Sequence, residues 1–195
     1  MPAELDQDHS WTRLHEVRLR GMLDVEDGDR DIERLIATGY LLRRGSKVVI
    51  MPAGKAAHAT WALLPEGTEQ HAAARRAYDQ FLVFDRQVKQ LTTEWQLAAG
   101  ANGRSEGFSA EDWKLIDRLT AVHEKAGAPL GALGREVPRF AGYRPRLRHA
   151  LQQLEEGDPK WFSGVTCDSY HTVWWQLHED LLVALGIARS DDPNQ

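Results

Sequence analysis

Only one stretch of this chain reads as a pair of strands, and it sets what the rest can be. Leu41-Leu42-Arg43-Arg44 and Lys47-Val48-Val49-Ile50-Met51 are separated by Gly45-Ser46, the pattern of a small hairpin with a tight turn. Everything on either side of it has helical spacing, so the fold class is mainly α. Upstream, Trp11, Leu14, Val17, Leu19, Met22 and Leu23 predict a helix from Ser10 to Val25 with Ser10 as its N-cap. Ile32, Leu35 and Ile36 give the next helix its buried stripe, and Gly39 stops it. Downstream, Pro52 to Leu64, Thr68 to Ala98, Ser109 to about Lys125, Pro138 to Leu154 and Asp168 to Leu185 read as helices. Pro65-Glu66-Gly67, Ala99 to Phe108 and Gly157-Asp158-Pro159 interrupt them, and Gly127 to Gly134, with three glycines and a proline, is expected to break or bend the chain.

With 195 residues, 42% hydrophobic and 27% charged, the chain has the composition of one globular domain or two small ones. That excludes a disordered tail, a collagen-like fibre and a small disulfide scaffold. A formal net charge of -5 repels phosphate backbones unless the basic residues are segregated. Cys167 is the one cysteine, which rules out an intrachain disulfide and a two-cysteine zinc or redox site and makes a reducing cytoplasm the expected compartment. The acidic start MPAELDQDHS has no apolar run, and no stretch approaches the roughly 18 apolar residues of a membrane span, so neither a signal peptide nor a membrane partner is expected.

Helix, helix, hairpin and then helices only is the layout of a winged-helix unit followed by an α-helical domain. The expected boundaries are a flexible N-terminus at 1–9, a shortened winged-helix unit with a two-strand wing at 10–66, an α-helical dimerisation and ligand domain at 67–188, and a flexible C-terminus at 189–195. Gly39-Tyr40-Leu41-Leu42-Arg43-Arg44 and Met51-Pro52-Ala53-Gly54-Lys55-Ala56-Ala57 resemble the wing and following helix of multiple-antibiotic-resistance-regulator (MarR) type transcription factors, with Met51 where that family usually has threonine. Phe81-Leu82, Trp95-Gln96, Arg139-Phe140-Ala141-Gly142-Tyr143, Gly157-Asp158-Pro159-Lys160-Trp161-Phe162 and the run from Asp168 to Asp180 resemble an actinobacterial family of small MarR-like regulators. Similar segments occur appended to phosphoenolpyruvate-utilising phosphotransferases. The resemblance implies a ligand-responsive transcriptional regulator working as a homodimer, with an accessory module of a phosphotransferase-type enzyme as a further alternative.

The residues themselves pull against strong DNA binding. A winged-helix reader needs three helices before the wing, the third entering the major groove with basic or amide side chains. Only 17 residues separate Gly21 from Gly39, too few for two ordinary helices and a turn. The helix in the recognition position carries Asp29, Asp31 and Glu33 against Arg30 and Arg34. The wing offers Arg43, Arg44, Lys47 and Lys55, with no acid from Tyr40 through Leu64, and these four are the candidate DNA contacts.

Aromatic walls with a few polar groups line small-molecule pockets, and Trp95, Trp113, Tyr170, Trp174 and Trp175 are candidates to line one for an aromatic ligand, together with His171 and His178. Adjacent on a helix, Trp174 and Trp175 point about 100° apart, so both cannot face one core. His171 and His178 lie two turns apart on one face. In an enzyme built on this frame, the alternative reading, His171 or His178 would move a proton, with Asp168 beside them and Glu179 or Asp180 orienting a histidine. Seven residues is a poor spacing for two ligands of one metal, so no metal is expected. No phosphate-cradling glycine loop, Gly-x-Ser-x-Gly or His-Glu-x-x-His occurs, so no cofactor is implied either. Arg139, Arg144, Arg146 and Arg148 form a basic face around Tyr143 able to grip a carboxylate or phosphate.

Overall fold

A computed structural model describes residues 7–98, 104 and 107–194. The protein is mainly helical with one small antiparallel sheet, and it divides into two compact units at Leu63/Leu64, three residues before the expected boundary.

In the first unit, helix α1 (Gln7–Arg20) is shorter than its apolar period suggests. Gly21 turns the chain with φ 77°, and Met22–Asp24 becomes strand β1 rather than a last helical turn. Ser10 is not a cap: it is buried inside α1 and donates from its hydroxyl to Asp31 at 2.8 Å. Helix α2 (Arg30–Ala37) is capped by the Asp29 carboxylate, which accepts from the amides of Asp31 and Ile32. Strands β2 (Leu41–Arg44) and β3 (Lys47–Ile50) form the expected hairpin, with Gly45 at φ 63° in the first turn position. The sheet has three strands in the order β1-β3-β2, so the two-strand expectation is corrected: β1 pairs antiparallel with β3, Leu23 opposite Val48. Leu14, Val17, Ile32, Leu35, Leu41 and Val48 make the core of this unit.

Helix α3 (Pro52–Ala62) starts on a proline, as a first helical position allows, and presses hard on the strands. A Cβ on Gly54 would lie 2.3 Å from the Tyr40 carbonyl oxygen and 3.0 Å from Ile50 Cγ1. That carbonyl is fixed, because it accepts from the Met51 amide at 2.9 Å. Gly54→Ala should therefore destabilise the first unit by about 1–3 kcal/mol as an overpacking change, although alanine is the better helix former. Thermal unfolding followed by circular dichroism checks this; an unchanged or raised midpoint would show that α3 can shift freely.

The second unit is built on α4 (Glu69–Ala98) and α5 (Ala110–Glu136). The expected Ser109 cap is present as a full capping box with Asp112. The glycine-rich stretch 127–134 does not break the chain; α5 runs through it and through Pro129. Those glycines serve close approach instead: a Cβ on Gly134 would lie 2.8 Å from Ala141 Cα. A 3-10 turn, Pro138–Phe140, precedes α6 (Tyr143–Glu155), and a short α7 (Lys160–Ser163) leads to α8 (Tyr170–Ala184), capped by Ser169. Helix α6 packs on α5 and α8, and α4 packs on α5 and α8. The C-terminal segment, expected to be flexible, is anchored, with Asp192 4% and Asn194 7% exposed. Most of the expected 99–108 loop and residues 1–6 lie outside the described residues. No helix among the described residues is long and apolar enough to cross a membrane.

Candidate functional site

In the first unit the wing cations are unequal. Arg43 donates to Glu33 at 2.6 Å and to Asp27 at 3.4 Å, so acids on α2 and the loop before it neutralise it. Lys47 pairs with Asp24 across β3 and β1 at 2.6 Å. Arg44 and Lys55 are exposed and have no carboxylate partner among the described residues. Two of the four candidate DNA contacts are thus held by the unit's own acids.

In the second unit the aromatic candidates separate into two stacks. Trp95, 3% exposed, lies on Phe162 with ring centres 4.3 Å apart, and the Arg104 guanidinium sits 3.5 Å over its ring. Arg104 also pairs with Asp112 at 2.6 Å and donates to the Trp95 carbonyl. Trp113 stands apart, 42% exposed, touching Phe108 edge-on. The other stack is Phe81, Trp174 and Tyr170, with Trp174 2% and Tyr170 1% exposed. Trp95, Tyr170 and Trp174 therefore fill the core against other rings rather than wall an opening. Trp174 and Trp175 diverge as adjacent helical residues must: Trp175 is 38% exposed.

His178 does not face solvent or a cavity. It is 1% exposed, with Nδ1 3.9 Å from Asp85 and Nε2 3.1 Å from Asp192 Oδ2, the latter without the alignment of a hydrogen bond. Asp85 accepts from Trp174 Nε1 at 3.1 Å and from Asn194 Nδ2 at 3.2 Å, and pairs with Lys89 at 2.9 Å. Asp192 accepts from the Tyr78 hydroxyl at 2.9 Å. Burial pulls His178 below the ordinary histidine range; Asp85 and Asp192 oppose the fall while Lys89 and Arg189 add to it. Burial works against ionisation of Asp192 too, but the Tyr78 hydroxyl and His178 hold its carboxyl below the usual range. The Tyr78 hydroxyl is pushed up by burial and by Asp192.

His171 lies on the same face of α8, half-buried, and also feels Asp85 and Lys89; burial lowers it. Of the two histidines on this face, His178 is the one that lies against Asp85 of α4. Asp168 does not join them: Arg146 binds it at 3.0 and 3.1 Å. Nor do Glu179 and Asp180 orient a histidine, since Glu179 pairs with Arg189, and Asp180 meets Arg139 and the Tyr143 hydroxyl. Cys167 is no activated thiol, because burial raises it and its Sγ faces the Lys160 carbonyl.

Asp85, Asp192, Tyr78 and Asn194 complete this network and were not singled out by sequence. Asp85 alone had a signal, a carboxylate on the apolar stripe between Phe81 and Val88. What the arrangement does chemically is fasten the segment around Asp192 and Asn194 to α4 and α8. The chain matches no family model, no curated protein and no solved structure.

Proposed function

We propose that the chain is a ligand-responsive regulatory protein of MarR-like descent, acting as a homodimer, in which a winged-helix-like unit has kept only weak duplex affinity. The order α1-β1-α2-β2-β3-α3, with β1 laid beside the hairpin, supports the winged-helix reading with one of the usual three helices omitted. The observation that carries weakened binding is the capture of Arg43 by Glu33 and Asp27 and of Lys47 by Asp24. An enzyme is the poorer reading, because His178, one of its two candidate proton carriers, is buried between carboxylates.

Fluorescence anisotropy against the upstream duplex and a random duplex, at several salt concentrations, tests this. Arg44 and Lys55 together support a log–log salt slope of about -2 per protomer, at roughly -0.9 per phosphate neutralised. The expected result is weak, salt-sensitive binding with little preference between duplexes, and tighter binding when Asp24→Asn and Glu33→Gln release Lys47 and Arg43. Tight, selective binding by the unaltered chain would overturn the weakened wing, and binding indifferent to Arg44→Ala and Lys55→Ala would overturn the wing as the contact.

A further inference from the structure

The arginines of the second unit fall into two sets. Arg75, Arg104, Arg118, Arg139, Arg146 and Arg189 each face a carboxylate. Arg76, Arg86, Arg135, Arg144 and Arg148 face none among the described residues, and the last three of these gather where α6 crosses α5. Arg144 and Arg148 are exposed, one turn apart on α6, separated by about 6 Å of helical rise. With Pro145, His149 and Gln152, all on α6, they line a concavity of about 360 Å³ on that helix, beside the seam.

The α5 side of this seam is cut away for them. Gly127 and Gly131 present bare backbone to Arg144: a Cβ on Gly131 would lie 3.3 Å from Arg144 Nη1 and 3.7 Å from Arg135 Nη1, and one on Gly127 would lie 3.8 Å from Arg144 Nε. Two guanidinium groups from different helices therefore meet over a single glycine. His123, half-buried on α5, reports the same field, since Arg148 and Arg144 reinforce the fall that burial imposes on it while Glu124 opposes. Glu155 accepts from Thr120, and Glu156 from Gln152 and Gln153, so neither forms an ion pair with the three arginines. Like charges brought together repel one another, and an anion between them relieves that repulsion. The guanidinium fork matches a carboxylate or phosphate with two parallel hydrogen bonds.

We infer that the α5–α6 seam is a binding site for a small dianion, a phosphate ester or a dicarboxylate, held by Arg144 and Arg148 with Arg135 at its edge. The site does not depend on what the wing does. Calorimetric titration of the full chain with inorganic phosphate and with succinate, at ionic strength held constant with chloride, reads it directly. Saturable binding is expected, weakened at least about tenfold by Arg144→Gln or Arg148→Gln. Arg148→Lys should restore only part, because an ammonium cannot fork. Arg76→Gln removes an exposed arginine of α4 and should change nothing. All three side chains are exposed, and far-ultraviolet circular dichroism verifies that each variant keeps its helices. Preference for phosphate assigns the ligand class as phosphoryl, and preference for succinate assigns it as dicarboxylate. No saturable heat with either probe, or equal weakening by Arg76→Gln, would overturn the site.

Discussion

Asp85→Ala is expected to be among the most damaging single substitutions in this chain, removing about 3–5 kcal/mol of stability, the range for stripping one partner from a buried charged network. The Asp85 side chain is 2% exposed and is shared by the Trp174 indole N–H, the Asn194 amide and the Lys89 ammonium, with His178 close by. Alanine leaves the buried Trp174 indole N–H without its acceptor, and an unsatisfied buried polar group costs about 1–3 kcal/mol; it also takes the carboxylate from Asn194 and Lys89, which keep the Leu82 and Asn194 carbonyls. Asp85→Asn keeps one oxygen for the Trp174 indole but turns the other into an N–H2 donor facing Asn194 and Lys89, so it should fall between. Urea unfolding of the two variants against the parent measures the difference. A loss below about 1 kcal/mol for Asp85→Ala would mean that water or relaxation replaces the carboxylate, and the network would then be no clasp.

The depth of that network explains why it was only half legible. The His171 and His178 register follows from helical spacing, and both feel the charge of Asp85, with His178 3.9 Å from it. Asp85 lies 86 and 93 positions from the two histidines, and Tyr78 lies 114 from the Asp192 it bonds, and no local pattern marks such a meeting. Elements with strong local chemistry were read closely: α4 begins one residue from its expected start and ends at Ala98 as expected, and Ser109 caps α5. Elements decided by tertiary packing were not. Met22 and Leu23 continue the apolar period of α1, yet a three-residue strand exists because β3 offers it an open edge. Gly127, Gly131 and Gly134 look like breakers, yet α5 runs through all three, and at Gly134 the bare backbone is needed for the approach of the Ala141 backbone. The tryptophans illustrate the same limit: composition announced many rings, and only packing sends Trp95 and Trp174 to the core while Trp113 and Trp175 stay partly exposed.

Acid should loosen the second unit well above the usual carboxylate range. His123, His171 and His178 are each lowered, with burial the largest cause in every case. In the unfolded chain a histidine titrates near 6.5. Between its folded value and about 6.5 the unfolded state binds more protons, so stability rises with pH there and is lost as pH falls below about 6.5. Each histidine adds a slope of at most about 1.4 kcal/mol per pH unit while it differs between the two states, and solvent screening reduces the share of half-buried His123 and His171. Lowered Asp112 and Asp192 act with the same sign further down, contributing stability that disappears as they protonate below about pH 4. The urea midpoint at pH 5.5 should therefore lie clearly below that at pH 7.5, and His178→Gln should narrow the gap. The opposite result, a midpoint unchanged or higher at pH 5.5, would show that the attraction of Asp85 and Asp192 exceeds the cost of burial and that His178 is charged in the folded protein. Two carboxylates at 3.9 and 3.1 Å make that the one serious competitor. Imidazole proton shifts followed through the same pH range separate the two cases residue by residue.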